Sequence, residues 1–253
     1  MVSQTRKRLL ILLVIVVIIF LLIRYVFFTG SLEASINVAP APQLVVPQEQ
    51  HESHDVESYR RNVGAPVLVT VFYEALCPDS KHFITKQLVP AFKEASILMD
   101  TKLVPYGKAS TMTNPDGTYR FDCQHGQVEC DANTYHACTI EAIQDPQSRL
   151  DMIACMIRDN RLPKEALHKC AKQHNIDNVD LIQKCFDSSH GSELLKLNGD
   201  LTHALRPSIT FIPTITLDGY QGKQALILKN LLAEICKIAG DNDKADEICH
   251  QHL

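Results

Sequence analysis

Nine cysteines constrain this chain more than any other feature: Cys77, Cys123, Cys130, Cys138, Cys155, Cys170, Cys185, Cys236 and Cys249. Whether they cross-link depends on the redox state of the compartment, and the amino terminus speaks to that. Arg6, Lys7 and Arg8 precede an unbroken apolar run from Leu9 to Ile23, followed by Arg24 and then Tyr25 to Phe28. A spanning helix needs about 20 apolar residues, and this segment reaches that length when the Arg24 side chain snorkels to the headgroups. Two readings follow, an uncleaved anchor over residues 1–28 and a secretory signal peptide cleaved near Thr29-Gly30-Ser31. The length of the run and its branched residues favour the anchor. With the basic cluster ahead of the run the amino terminus stays cytosolic, which predicts a single-pass type II protein; signal cleavage would make it secreted. On both readings the rest of the chain lies in an oxidising lumen, where most cysteines pair, and an odd count leaves at least one thiol over.

The net charge of -4 and the absence of a long Lys/Arg run exclude a nucleic-acid surface, which needs concentrated positive charge against phosphates. Residues 29–65, with Ala39-Pro40-Ala41-Pro42 and Gln48-Glu49-Gln50-His51, read as a lumenal tether. A domain is predicted over 66–240 and a tail over 241–253. Its first element is Pro66 to Tyr73, β-branched and aromatic with apolar residues on both faces, as in a buried central strand. A helix follows, capped by Asp79 or Ser80, with Phe83, Ile84, Leu88 and Ala91 as its apolar stripe and its end near Ala95. Ile97 to Pro105 reads as a second strand, so the crossover is parallel.

The middle of the chain, about 115–206, reads as a helical insertion. Leu150, Ile153, Ala154 and Ile157 recur at helical spacing, and Pro163 suits a first turn ahead of Ala166, Leu167, Cys170 and Ala171. Further helices are predicted around Leu181 to Phe186 and Glu193 to Leu205. Strand character returns over Ile209 to Leu217, Asp218-Gly219 turns the chain, and Leu228, Leu231, Leu232 and Ile235 form a last amphipathic helix. The fold class is α/β.

Cys77 falls between the first strand and the first helix, in Leu76-Cys77-Pro78-Asp79-Ser80. Unpaired backbone N–H groups and the positive end of a helix dipole favour an anion at such a place, and the thiolate is the form that attacks disulfides. The charge of Asp79 opposes this if it points inward. The alternative is an inert buried cysteine or half of a structural disulfide. Pro213, in Phe211-Ile212-Pro213-Thr214-Ile215, breaks a strand predicted to be central, where proline interrupts the ladder. A cis Ile212-Pro213 bond accounts for it; a trans proline on an edge strand is the alternative. Cys123, Cys130 and Cys138 are either disulfide halves or, with His125, zinc ligands. Zinc is the weaker reading, because no Cys-x-x-Cys pair is present and lumenal cysteines oxidise first. His51, His54, His82, His168, His174, His190, His203, His250 and His252 are scattered and read as solvated.

The stretch from Cys123 resembles the signature of the gamma-interferon-inducible lysosomal thiol reductases, Cys-Gln-His-Gly-x-x-Glu-Cys-x-x-Asn-x-x-x-x-Cys. Cys123, Gln124, His125, Gly126, Glu129, Cys130, Asn133 and Cys138 fill every fixed position. The resemblance covers roughly Pro66 to Cys236 and leaves Cys249 outside. It implies a thioredoxin-like fold with a disulfide-bonded helical insertion, a cis-proline loop beside Cys77, and reduction of protein disulfides in the acidic endosome and lysosome. The sequence departs from the family pattern at the first helix, where members resemble Cys-x-x-Cys and this chain has Cys77-Pro78-Asp79-Ser80. In the two-thiol mechanism the second sulfur releases the mixed disulfide. Ser80 cannot do this, although its hydroxyl could hydrogen-bond the Cys77 thiolate. Three expectations follow: a single-thiol oxidoreductase resolved by an external small thiol such as glutathione or cysteine, a client-binding or retention protein without turnover, or resolution by a distant cysteine such as Cys249. No bound cofactor or metal is expected, and the partners are disulfide-bonded proteins and, through the amino-terminal segment, the membrane. The chain has no Asn-x-Ser/Thr sequon, so N-linked sugars do not address it to lysosomes.

Overall fold

A computed structural model describes residues 13, 15–24, 65–239 and 243–250. Residues 13 and 15–24 are helical and their apolar side chains are exposed; the rest of the predicted anchor, and the tether up to residue 64, lie outside the described residues. No described helix is long and apolar enough to cross a membrane.

Strand β1 (Val67–Tyr73) is the axis of the domain, pairing in parallel with β2 (Met99–Pro105) and antiparallel with β5 (Thr214–Leu217), in the order β2-β1-β5. Its Val, Phe and Tyr side chains are buried on both faces, which is why this run lacks the alternation of a half-exposed strand. The crossover from β1 to β2 consists of α1 (Pro78–Phe83), a π-helical turn (Ile84–Leu88) and α2 (Val89–Ala95). Pro90 has no N–H for the helix ladder, and the widened π turn just ahead of it takes up that break.

After β2 come the hairpin β3 (Ser110–Thr113) and β4 (Tyr119–Asp122), then α3 (Gln127–Ala142), α4 (Pro146–Met156), α5 (Pro163–His174), α6 (Val179–Phe186) and α7 (Ser189–Ala204). The chain then returns through β5, α8 (Gln224–Lys229), α9 (Leu231–Ala239) and α10 (Asp243–Cys249). This is a thioredoxin-like arrangement: a parallel β-helix-β crossover, an antiparallel strand entered through a cis-proline, and a closing helix, with a helical insertion between the halves. One apolar core lies on the sheet, around Val69, Val71, Phe83, Ile84, Leu88, Ile215 and Ile235. A separate one holds the insertion, around Tyr135, Met152, Met156, Leu167 and Ile182.

Several expectations need correction. Cys77, in extended conformation, and not Asp79 or Ser80, occupies the N-cap position of the first helix, without a side-chain cap bond; Pro78 takes the first helical position, where its fixed φ fits and its missing N–H costs nothing. β5 begins only at Thr214 and is an edge strand, so Pro213 lies before the ladder and does not interrupt it. The last predicted helix is two, parted at Asn230. The predicted tail contains α10, whose Ala245 and Cys249 join the sheet-side core.

Candidate functional site

Four disulfides consume eight of the nine cysteines: Cys123–Cys130, Cys138–Cys185, Cys155–Cys170 and Cys236–Cys249. Cys77 is the free thiol. The three cysteines of the signature are thereby unavailable to zinc, and Cys249 is unavailable as a resolving thiol.

Cys77 sits where β1 hands over to α1. Its N–H donates to the Glu74 carbonyl at 3.3 Å, and its carbonyl accepts the first helical bond from Lys81 at 3.0 Å. Its thiol points across the sheet edge at the Ile212 carbonyl, 3.8 Å away, next to the cis Ile212-Pro213 bond. The residue is only 8% exposed, because the proline loop covers it. Ser80 does not reach it. Three residues into the helix, the Ser80 side chain is fully buried and turns back to the strand end, where its hydroxyl accepts the Glu74 N–H at 3.3 Å.

The signature docks a second element on the same strand-to-helix loop. Gly126 stands at φ +78 ahead of α3, a conformation that suits glycine, and its carbonyl accepts the Glu129 N–H at 3.0 Å. Gln124 is exposed. Glu129, Asn133 and His136 follow at i, i+4 and i+7, a polar stripe on a helix face that points into the protein, and all three are fully buried. Asn133 Oδ1 accepts the Ala75 N–H at 2.9 Å, two residues before Cys77. On the other side of that peptide Asn160 Nδ2 donates to the Ala75 carbonyl at 3.3 Å and to His136 Nε2 at 2.8 Å. Because Nε2 accepts, the neutral ring carries its proton on Nδ1, 2.9 Å from the Tyr73 oxygen. Burial lowers the His136 pKa to about 3 and raises that of Tyr73 well above the phenol range, so neither is charged at ordinary pH.

The third group is acidic. Glu74, at the end of β1, and Glu129, on α3, are both buried, and His125 lies against them, with Nδ1 2.6 Å from Glu129 Oε2 and 3.7 Å from Glu74 Oε2. Burial, together with the Glu129 charge, holds the Glu74 carboxyl above its usual range against the lowering effect of the Lys108 N–H.

Tyr73, Glu74, His136 and Asn160 were not singled out from the sequence. The signal for His136 was present, since it continues the stripe that begins with Glu129 and Asn133. Asn160 carries no such signal, being in a turn after α4 that only tertiary packing brings to β1. His190, read as solvated, is exposed but pairs with Glu141 at 2.6 Å.

The model of the family described as Gamma interferon inducible lysosomal thiol reductase (GILT) matches residues 68–174. GILT-like protein 1 of Drosophila melanogaster is 34% identical over 207 residues, covering 75% of this chain and 80% of that protein. The gamma-interferon-inducible lysosomal thiol reductase of Carassius auratus is 35% identical over 180 residues, 69% of this chain and 70% of its own. Among solved structures, Chlamydia trachomatis DsbA aligns with 79% of this chain and 98% of its own at 16% identity, with a TM-score of 0.48. On the strength of the curated relatives and the signature that docks beside Cys77, the chain belongs to the gamma-interferon-inducible lysosomal thiol reductase family.

Proposed function

We propose that the chain is a thiol-disulfide oxidoreductase that acts on protein disulfides through Cys77 alone. One observation carries this reading: of nine cysteines, only the one between β1 and α1, beside a cis-proline loop, is not in a disulfide. The Cys77 thiolate attacks one sulfur of a substrate disulfide; that S–S bond breaks, a Cys77–substrate disulfide forms, and the displaced sulfur leaves as a thiolate that takes a proton from water. An external small thiol, glutathione or cysteine, then attacks the mixed disulfide. A second equivalent completes the exchange, so that two small thiols are oxidised to their disulfide and the substrate gains two thiols. Ser80 supplies structure through its bond to the Glu74 N–H, and Pro213 shapes the loop whose Ile212 carbonyl faces the sulfur.

The four disulfides support an oxidising lumen, the names of the relatives support the lysosome, and the apolar run from Leu9 to Ile23 supports an anchor. A second reading, capture of clients as stable mixed disulfides without turnover, is favoured by the lack of any second free thiol and by the burial of Cys77.

The test is to incubate the purified chain with a disulfide-bonded protein, with and without small thiol, beside Cys77→Ala. Catalysis predicts steady release that falls to background in Cys77→Ala and requires the small thiol. A stoichiometric adduct without release establishes capture, and equal rates in wild type and Cys77→Ala defeat both. Ser80→Cys should raise turnover several-fold at low thiol once its side chain swings from the Glu74 N–H to Cys77, where the new sulfur resolves the mixed disulfide internally.

A further inference from the structure

Glu74, Glu129 and His125 have no part in the thiol chemistry above, yet their arrangement is expensive to maintain as it stands. Two carboxylates are removed from water next to each other; among the described residues the cation in contact with both is His125 when protonated, while the Lys108 charge also acts on Glu74. One oxygen of each carboxylate is held by backbone: Glu74 Oε1 accepts the Lys108 N–H at 2.8 Å, and Glu129 Oε1 accepts the His125 N–H at 3.0 Å. The other oxygen of each is turned to His125 Nδ1. Glu74 Oε2, buried in a side chain 1% exposed, has no hydrogen-bond partner at all. A buried carboxylate oxygen in that condition is aimed at something that a protein donor does not supply.

We propose that these three residues form a divalent-cation site of zinc type, with Glu74 Oε2, Glu129 Oε2 and His125 Nδ1 as its protein ligands. The three donor atoms lie within 4.8 Å of one another. Tetrahedral zinc bonds of about 2.0–2.1 Å set donors about 3.3 Å apart, and the distances of 2.6 and 3.7 Å from Nδ1 straddle that value. A nitrogen with two carboxylate oxygens suits zinc better than the harder magnesium or calcium, and a dication neutralises the two buried charges. The backbone bonds to the second oxygens provide the outer shell that orients such ligands. The His125 side chain is 39% exposed, which leaves a route for the ion and a fourth position for water or another donor. Gly107 completes the cradle: a Cβ there would lie 2.1 Å from the Glu74 side chain, so a larger residue would displace this carboxylate.

The bound ion would pin the end of β1, three residues before Cys77, to the first turn of α3. The proposal does not depend on how Cys77 reacts. To test it, the full chain is stripped with a chelator and titrated with zinc against a chromophoric competitor, and its thermal unfolding is followed with and without zinc. Wild type should bind one zinc per chain and unfold several degrees higher with it. His125→Ala and Glu129→Gln should weaken binding by at least about 100-fold and abolish the thermal shift. Cys77→Ser and His190→Ala should bind as wild type does, which separates this site from the free thiol and from the His190-Glu141 pair. His125 is partly exposed, so its variant should keep the wild-type circular dichroism; if Glu129→Gln does not fold, His125→Ala alone decides. The proposal is overturned if wild type binds zinc no more tightly than His125→Ala, or if Cys77→Ser removes the binding.

Discussion

On the sheet side of the domain, Val69, Val71, Phe83, Ile84, Leu88, Met99, Ile215, Leu231 and Ile235 form a continuous core, and its one disulfide, Cys236–Cys249, fastens α10 at the far end. In the insertion the buried apolar set is smaller, and Cys138–Cys185 and Cys155–Cys170 run through it, joining α3 to α6 and α4 to α5. The contrast teaches where each kind of stabilisation suffices. A strand that buries both faces removes enough apolar surface to hold its neighbours, whereas the insertion's smaller apolar set, spread over several helices, does not, and cross-links restrict the unfolded chain instead. The polar groups gather at the seam between the halves. Tyr73, Glu74 and Ala75 of the sheet side meet His136, Glu129 and Asn133 of α3 there, next to Cys77.

If this contrast holds, the largest effects on stability come from the insertion's cross-links. The Cys138–Cys185 bridge closes 47 residues, and the double alanine variant should lose about 4 kcal/mol in urea unfolding. Removing Cys155–Cys170, which closes 15 residues, should cost about 3 kcal/mol. Loss of Cys236–Cys249, across 13 residues, should cost no more than that; a greater loss there would mean that the sheet half also relies on covalent closure.

The seam can be probed with acid. His136 has a folded pKa of about 3 against 6.5 when free, so its contribution is intact above pH 6.5 and is lost as the pH falls from there toward 3, where the unfolded chain binds a proton that the folded chain refuses. Between pH 7 and 5 this single group should lower stability by about 2 kcal/mol. His136→Gln should be less stable than wild type at pH 7 and should narrow the gap at pH 5. A constant gap between the two unfolding curves would show that another group governs the acid limb.

A smaller effect tests the seam by neutral hydrogen bonding. Asn133→Ala strands the buried Ala75 N–H and should cost about 1–2 kcal/mol. Smallest is Asp145→Ala in the insertion, which removes the exposed Ser148 N–H cap of α4 and should lower stability by less than Asn133→Ala does in the same urea measurement. If Asp145→Ala cost more than Asn133→Ala, the seam would not be the more tightly organised of the two places.

Much of this was legible in the residues. The strand over Val67–Tyr73, the helix reaching Ala95, the parallel return and Pro163 at the head of α5 follow from apolar spacing and from the fixed φ of proline. The cis bond at Pro213 was also anticipated, although through a central strand that proved to be an edge. The hairpin of β3 and β4 was missed because its strands are short and half-exposed, so neither carries an apolar face to betray its period. Ser80 misled for a related reason: its position in the sequence places it near Cys77, and only the helix rotation shows that its hydroxyl returns to Glu74.

By itself the sequence determined the local elements, the odd thiol count and the family signature, because periodicity, parity and motif spacing are properties of neighbours along the chain. Which cysteine stays unpaired, which residues flank it and which carboxylates are buried together were decided only in three dimensions. Pairing, burial and the environment of a charge depend on groups far apart in sequence. Asn160 and Ala75, for example, meet across 85 residues, and Cys77 and Ile212 across 135.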